Sequence, residues 1–415
     1  MICLLIHKGF IMTKPLLSLC PNVWLAEGQS SQRDMLESLQ NLRKKVALNL
    51  DIYSDLDVVS NPAQDGLVEE SVLDAAFRIL ASHRFHRPEI LEMADKSFTE
   101  PHITKGATSA QPSLVADTDG TQIMPRWQFV LEQAIEHQTK VLLTGRNSID
   151  YELHRTQFEQ AGIRLLTGST STDMLNKIDD KFAFIKHCEV SNIPVAKGWR
   201  FDSLYELKAL LEEHGHQPLC VKPVTGIFAQ GFWRLDTGKR SDECYDSFEH
   251  LYLTDDRKIT TAQFISAYEH SLMVKEKPIP MLLMPYLNGR EYSIDVVCEK
   301  GEVLAAITRY KVGKVQHIGY DKEVMEVVIP LIRAFDCDGI VSVQTKEDSE
   351  GQHCVLEINS RPSGGIGYTN HSGVDLTQIG FAYWLGIIDK PNALTVANHI
   401  TPCQVRAIMT SVKIA

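Results

Sequence analysis

From residue 22 the chain alternates short apolar runs with longer amphipathic ones. VWLA (23–26) reads as a strand. SQRDMLESLQNLRKK reads as a helix, with Met35, Leu36, Leu39 and Leu42 on one face. VALNLDIY and FRILA read as further strands. WQFVLEQAIEH (helix), KVLLTG (strand), DYELHRTQFEQAG (helix) and IRLLTG (strand) continue the pattern, and Gly162 stands where a helix C-cap belongs. Strands separated by helices predict a parallel sheet with crossover helices, a Rossmann-like domain over 21–170. Within it, segment 97–123 is rich in Thr, Ser, Pro and Asp and reads as a long loop.

The pattern changes near 168–175. STSTDMLNKIDDKFAFIKHCEV reads as a helix, with N-cap residues at Ser171 to Asp173 and a stop at Asn192 and Pro194. Strand, helix (SLYELKALLEEHG) and strand (PLCVKPV) follow over 193–235. Residues 236–278 are charged and poorly patterned, as in an insertion. From 281 strands dominate: MLLMPYL, REYSIDVVC, VLAAITRYK, GIVSVQTK and HCVLEINS. A helix at about 322–335 interrupts them, and Pro330 inside it predicts a kink or an early end. The class is α/β, with α+β lobes at 171–280 and 281–415.

The last strand pair carries unusual polarity. By alternation, Cys354, Leu356 and Ile358 point into a core, while Val355, Glu357 and Asn359 share the other face. KEDSEGQ has the composition of a hairpin connection, so HCVLEINS pairs with IVSVQT and brings Gln344 beside Glu357. One carboxylate and two amides are ligands that hard Mg²⁺ accepts, completing its shell with waters and phosphates. Arg361 follows as a fixed cation suited to phosphate. SGGIG then offers backbone N–H groups that no side chain obstructs. A partly solvated strand face explains any one of these residues, but explains the set less well.

Composition narrows the function. A length of 415 residues allows roughly two to four domains. A net charge of −11 argues against nucleic-acid binding driven by overall charge, and leaves room for a local positive pocket. No apolar run is long enough to span a bilayer. The opening MICLLIHKGFIMTKPLL is interrupted by His7 and Lys8 and lacks a small-residue cleavage site, which argues against export. Residues 1–20 read as a poorly ordered extension, with Met12 an alternative start to Met1. The nine Cys are scattered without a C-x-x-C pair, as in a reduced cytoplasmic protein, and the fifteen His form no metal motif.

The run VQ…LEINSRPSGG resembles the metal-binding end of the ATP-grasp fold, in the version found in the large subunit of carbamoyl phosphate synthetase. The resemblance implies that Gln344, Glu357 and Asn359 hold Mg²⁺ on ATP, with Mn²⁺ a substitute, and that Arg361 meets phosphate. It covers 175–380, and 21–170 as the Rossmann-like domain that precedes the grasp. It implies two nucleotide lysines, Lys181 in IDDKFAF and Lys222 in CVKPV. Lys181 near a helix N-terminus is disfavoured unless an anion lies nearby, and pairing with Asp179 or Asp180 is the competing reading. TGIFAQGF matches the glycine-rich phosphate loop, although Phe228 and Gln230 stand where the family often has small residues.

In MPYLNGREYSIDV, Met284, Tyr286 and Leu287 would meet adenine through backbone groups and Glu291 would accept the ribose hydroxyls. Many relatives carry an acidic residue where Met284 stands. TRYK places Arg309 and Lys311 on one strand face, and a bound γ- or acyl phosphate would offset their repulsion; a solvated basic face is the alternative. No Walker motif and no G-x-G-x-x-G is present. The implied activity is an ATP- and Mg²⁺-dependent carboxylate–amine ligase acting through an acyl phosphate. A phosphotransferase that forms no amide and a non-catalytic ATP-binding module are the alternatives. The implied partners are a small carboxylate and an amine or other nucleophile, not nucleic acid or membrane, with a homo-oligomer left open. ASHRFHRPEILEMAD, CVKP…GFWRL and MPYL further resemble ATP-grasp proteins of tellurium-resistance-associated biosynthetic clusters. Ser82, His83 and Arg84 follow a strand at a sheet's carboxyl edge and are substrate-site candidates. A capping Ser with surface His and Arg is the other reading.

Overall fold

The computed structural model describes residues 21–27, 31–53, 76–101, 115–116, 122–226, 230–236, 257–275 and 277–408. The extension 1–20, most of loop 97–123, Phe228 and all of 237–256 lie outside them. Three larger sheets organise the described chain. The first is parallel, in the order Lys96–Thr99, Arg78–His83, Asn22–Ala26, Thr139–Thr144, Arg164–Leu166. The second runs Lys258–Thr260, Trp233–Asp236, Leu219–Pro223, Met281–Pro285, Trp199–Phe201. The third has seven strands. Its path runs His353–Asn359, Cys337–Glu347, Glu291–Glu299, Glu302–Val312, Val315–Gly319, Cys403–Val405, with Gly168–Ser169 added beside Cys337.

Helix Ser31–Ala47 joins the first and third sheets into one core. Met35, Leu36, Leu39 and Leu42 pack with Val297, Leu304, Ile307 and Ile340, and helix Leu376–Trp384 closes the layer. The opposite face of the third sheet is covered by helices Thr172–Asp179, Lys181–Val190 and Lys322–Ala334. The second sheet has its own core, where Leu207, Phe264 and Tyr268 of two helices meet Leu219, Val221 and Leu283.

Several elements differ from the sequence reading, each for a local reason. VALNLDIY is not a strand, because the first helix continues to Ala47 and then turns through Asn49 at φ +53°. DYELHRTQFEQAG forms two short helices, Ser148–Glu152 and Arg155–Gln160, and Gly162 adopts φ +75° as a helix stop requires. The single helix expected after Ser171 is two. Ser171 caps the first, accepting from the Met174 N–H, and extended Asp180 caps the second, accepting from the N–H groups of Phe182 and Ala183. Pro330 is exposed and does not end its helix early.

Two further segments pair in the second sheet. The region read as an insertion contributes strand Lys258–Thr260 and helix Thr261–Val274 to the second sheet's core. The helix buries Phe264 and Tyr268 and leaves Met273 and Val274 exposed, so its apolar residues mark no single face. Strand Met281–Pro285 pairs with Leu219–Pro223 and Trp199–Phe201 in the second sheet.

Candidate nucleotide and acceptor site

The polar strand pair forms in the expected register, with Gln344 opposite Glu357 and Ser342 opposite Asn359. A bulge at Leu356 intervenes, because the next pair is Thr345 with Val355. The bulge resets the alternation. Val355 is therefore fully buried alongside Ile358, contrary to the strict alternation that put it on the polar face, while Glu357 and Asn359 stay together. The Asn359 Nδ2 donates to Glu357 Oε1 at 3.2 Å. Among the described residues no three His, Cys, Asp or Glu side chains gather as a metal cluster. A cation here would rest on one carboxylate, amide oxygens and the oxygens of a bound phosphate, which is the coordination Mg²⁺ tolerates.

Helix Lys181–Val190 and second-sheet strand Leu219–Pro223 each bring a lysine whose charge interacts with Glu357. Lys181, first residue of its helix, donates to the Gly226 carbonyl at 2.7 Å. Burial holds its ammonium below the usual value, against the pull of Glu357, Asp179 and Asp180. Burial lowers Lys222 likewise; Glu357 opposes that shift and Lys181 adds to it. Two lysines pressed together before one carboxylate suit a larger anion. At the lobe junction Met284 is buried opposite Cys220. The Tyr286 N–H donates to the Pro218 carbonyl at 2.8 Å, so of its backbone groups only the carbonyl is left for a base. Arg234 lies 4.5 Å and Lys346 5.2 Å from the centre of the Tyr286 ring, and Leu287 packs at the core edge. Glu291 is half exposed, 3.9 Å from Lys346; burial raises its carboxyl above the usual value, with Lys346 opposing and Glu357 adding.

Arg309, expected beside Lys311 near a phosphate, has partners of its own within the chain. Cross-strand pairing puts Glu357, Gln344, Ser293 and Arg309 in one row on one face. Yet Arg309 is only 8% exposed, its Nε donates to Asp295 Oδ2 at 2.9 Å and a second nitrogen donates to Ser363 Oγ at 2.7 Å. Its charge is met by Asp295, while Lys311 two residues on is exposed. Arg309 instead anchors the loop after Arg361. A Cβ at Gly365 would lie 2.8 Å from an Arg309 nitrogen and would displace the guanidinium; at Gly367 a Cβ would lie 2.3 Å from Asp34 Oδ2. Arg361 stands between two groups of charges. Burial and Arg146 push its guanidinium down, and Glu357 and Asp179 pull it up. It lines a cavity with Pro362, Ser31, Gln32, Thr144 and Gly145 at the carboxyl edge of the first sheet.

Ser82, His83 and Arg84 are not a cap with surface neighbours. Ser82 is fully buried; it accepts from Trp24 Nε1 at 2.9 Å and donates to Glu100 Oε1 at 2.7 Å. His83 is buried, and Arg84 lies 3.4 Å from Glu27 Oε1. Glu27 Oε2 accepts from Arg126 at 2.7 Å and from Asn147 at 3.0 Å. Burial raises the Glu100 carboxyl to about 7. The sequence reading missed Glu27, Glu100, Arg126, Arg146, Asp295 and Lys346. Only Glu27 carried a signal, as the residue that follows the first strand.

The three-sheet architecture and this cleft define the class: the chain has the ATP-grasp fold. Within that class, residues 277–410 match the model of a family described as ATP-grasp in the biosynthetic pathway with Ter operon. The carbamoyl phosphate synthase large chain of Clostridium perfringens is 24% identical over 239 residues, which is 53% of this chain. The matched stretch is 20% of that relative, so the chain spans about a fifth of the curated relative's length. An L-amino acid ligase from Bacillus licheniformis superposes with a TM-score of 0.55 at 13% identity, covering 92% of this chain and 77% of that one. A carboxyaminoimidazole ribonucleotide synthase from Aspergillus clavatus, complexed with ATP, gives 0.54 at 16% identity over 93% and 81%. Among the described residues no helix is long and apolar enough to cross a membrane.

Proposed function

We propose that the chain is an ATP- and Mg²⁺-dependent ligase that joins a small carboxylic acid to an amine or another nucleophile through an acyl phosphate. The observation that carries this reading is the convergence of Lys181, Lys222 and Arg361 on Glu357 from different elements, since their interactions all involve that carboxylate. Mg·ATP supplies the phosphoryl group when bound. Gln344, Glu357 and Asn359 would hold the metal through oxygen. Lys181 and Lys222 would balance phosphate charge from the smaller lobe, and the Tyr286 carbonyl, Leu287 and Glu291 would orient the nucleoside. Arg361 lies toward the first sheet, where an acceptor acid would stand in line. Arg309 would act by fixing the Ser363–Gly365 turn rather than by touching phosphate. Catalysis of this kind is positioning and electrostatic stabilisation, with no covalent side chain. Division into three units near 170 and after Pro285, and a cytoplasmic setting, belong to the same proposal.

The test is ADP release from Mg·ATP with a panel of carboxylic acids, with and without amines. ADP that forms only when acid and amine are both present supports the ligase. ADP formed with one acceptor alone would move the assignment to a phosphotransferase. ATP binding without turnover under any acceptor would indicate a binding module.

A further inference from the structure

A second cavity lies on the far face of the third sheet. Strand pairing sets Glu357, Gln344, Ser293, Arg309 and Ile318 in one cross-strand row, and Thr345, Tyr292, Tyr310, His317 and Gln404 in the next. Adjacent rows project to opposite faces, so the sheet itself stands between the second row and the polar cluster at Glu357. Around Tyr292, Tyr310 and His317 the surface opens into a cavity of about 350 Å³, completed by Thr308, Tyr320 and Asp321. Small-molecule sites begin at about that size, roughly 300 Å³.

Two independent features give the cavity a chemistry. The first is a set of rings held in place by one another. Tyr310 stacks on His317 with centroids 4.7 Å apart and planes 4° from parallel, and Tyr292 lies 5.2 Å from Tyr310. These rings already hold one cation: Arg290, which does not line the cavity, lies 4.6 Å from the centre of the Tyr310 ring and donates to the Tyr292 hydroxyl at 3.4 Å. Clustered ring faces attract positive charge. The second feature is Asp321, the one carboxylate on the wall, where no Lys or Arg joins it. Its Oδ1 accepts from the N–H groups of Glu323 and Val324 at 3.0 and 3.2 Å, which caps helix Lys322–Ala334. Its own N–H donates to Thr308 Oγ1 at 3.0 Å, and that hydroxyl donates to the Gly319 carbonyl at 3.1 Å, so the residue is tied to the strand beside it. Oδ2 is left without a hydrogen-bond partner among the described residues. An anion in this cavity would meet a carboxylate with no cation to offset it. An ammonium would meet the carboxylate and the rings together.

We infer that this cavity is a second ligand site, separate from the nucleotide cleft, for a small organic cation: its ammonium group against Asp321 Oδ2 and its apolar or aromatic body among Tyr292, Tyr310, His317 and Tyr320. The site does not depend on the ligase reading. The intervening sheet also excludes it as the place where an amine would attack an acyl phosphate.

The experiment is calorimetry on the full chain with three probes of matched shape: 2-phenylethylammonium, 2-phenylethanol and 3-phenylpropanoate. The ammonium should bind about tenfold or more tightly than either of the others. Asp321→Asn should remove its preference over the alcohol. The alcohol's affinity and the melting temperature should stay as they were, because Asn caps a helix as well as Asp does. Tyr320→Leu should weaken the ammonium several-fold more than the alcohol, a difference that a general packing loss would not give. Saturating Mg·ATP should not displace the ammonium. Equal binding of the three probes, tighter binding of the alcohol or the acid, or no binding of any probe overturns the inference. So does unchanged ammonium affinity in Asp321→Asn. Displacement by Mg·ATP would put the amine in the nucleotide cleft and overturn it too. If Asp321→Asn fails to fold, the three-probe comparison and the Mg·ATP competition on the unaltered chain, with Tyr320→Leu, still decide. Mg·ATP binding measured alone bears on the ligase reading, so each reading can fail while the other stands.

Discussion

Replacing Arg309 with Met separates two roles for this residue, phosphate contact and loop anchor. Arg309 is 8% exposed and Asp295 fully buried, and their charge-assisted bond is 2.9 Å long. Asp295 Oδ1 has no hydrogen-bond partner among the described residues, and the guanidinium on Oδ2 is the charge that offsets this buried carboxylate. Removing one member of such a pair leaves an uncompensated buried charge, which costs about 3–5 kcal/mol. The Ser363 contact, at 2.7 Å, is lost as well. Arg309→Met should therefore lower the stability of the transition that unfolds the larger lobe by that amount, read as a shift of the urea midpoint. Asp295→Asn should cost a similar amount, because it strands the guanidinium. The double change Arg309→Met with Asp295→Leu should recover most of the loss, since apolar replacement of a whole buried pair is often neutral or favourable. A pure phosphate ligand would behave otherwise, losing turnover while keeping the wild-type melting curve. An unaltered urea midpoint in Arg309→Met, or a double variant as unstable as the singles, refutes the anchor.

Other consequences follow from the same geometry. Glu357→Gln should cut turnover about 100-fold or more while the fold stays intact; a variant with normal activity and normal Mg²⁺ dependence would remove Glu357 from the metal set. Lys222→Ala should weaken ATP binding about tenfold, and calorimetry showing unchanged affinity counts against the two-lysine arrangement. Gly365→Ala should destabilise by about 1–3 kcal/mol, because its Cβ would press on the Arg309 guanidinium; denaturant titration checks it. Glu100 gives a pH dependence. Burial raises its folded-state pKa to about 7 from 4.5, so the folded chain keeps a proton that the unfolded chain releases. Its contribution to stability should fall as pH rises from about 4.5 to about 7 and stay level above, a loss of about 3 kcal/mol at most. Glu100→Gln should flatten that fall between pH 5 and pH 8, and identical pH profiles for the two proteins would refute it.

The elements that depend on local pattern were legible in the sequence. The helix carrying Met35, Leu36, Leu39 and Leu42 buries that face, and each main strand named from 281 onward is present. The errors fall where two local signals compete or tertiary pairing overrides them. VALNLDIY has strand-like composition, but Val46 and Ala47 were already committed to a helix with basic residues in its last turn. Met281–Pro285 looks like any apolar strand, and only its partners Leu219–Pro223 and Trp199–Phe201 reveal which sheet it joins.

The site divides along the same line. Gln344, Glu357 and Asn359 lie within one hairpin, so their meeting needs no information beyond the pairing of two adjacent strands, and even the bulge at Leu356 leaves them together. Arg309 and Asp295 show the limit of that logic. A face shared with Lys311 was visible by alternation, but its neutralising partner sits on the adjacent strand, 14 residues earlier, where nothing in TRYK points. Glu27 with Arg126 and Asn147 is more distant still, closed over 99 and 120 residues by the crossover of a parallel sheet. Charges that meet through such crossovers are invisible to motifs because each is an ordinary loop residue in its own neighbourhood. They concentrate at the carboxyl edge of the sheet because the parallel strands end there together. A cluster within one hairpin is therefore readable from the sequence, while the charges gathered at the sheet's carboxyl edge become readable only once the sheet is closed.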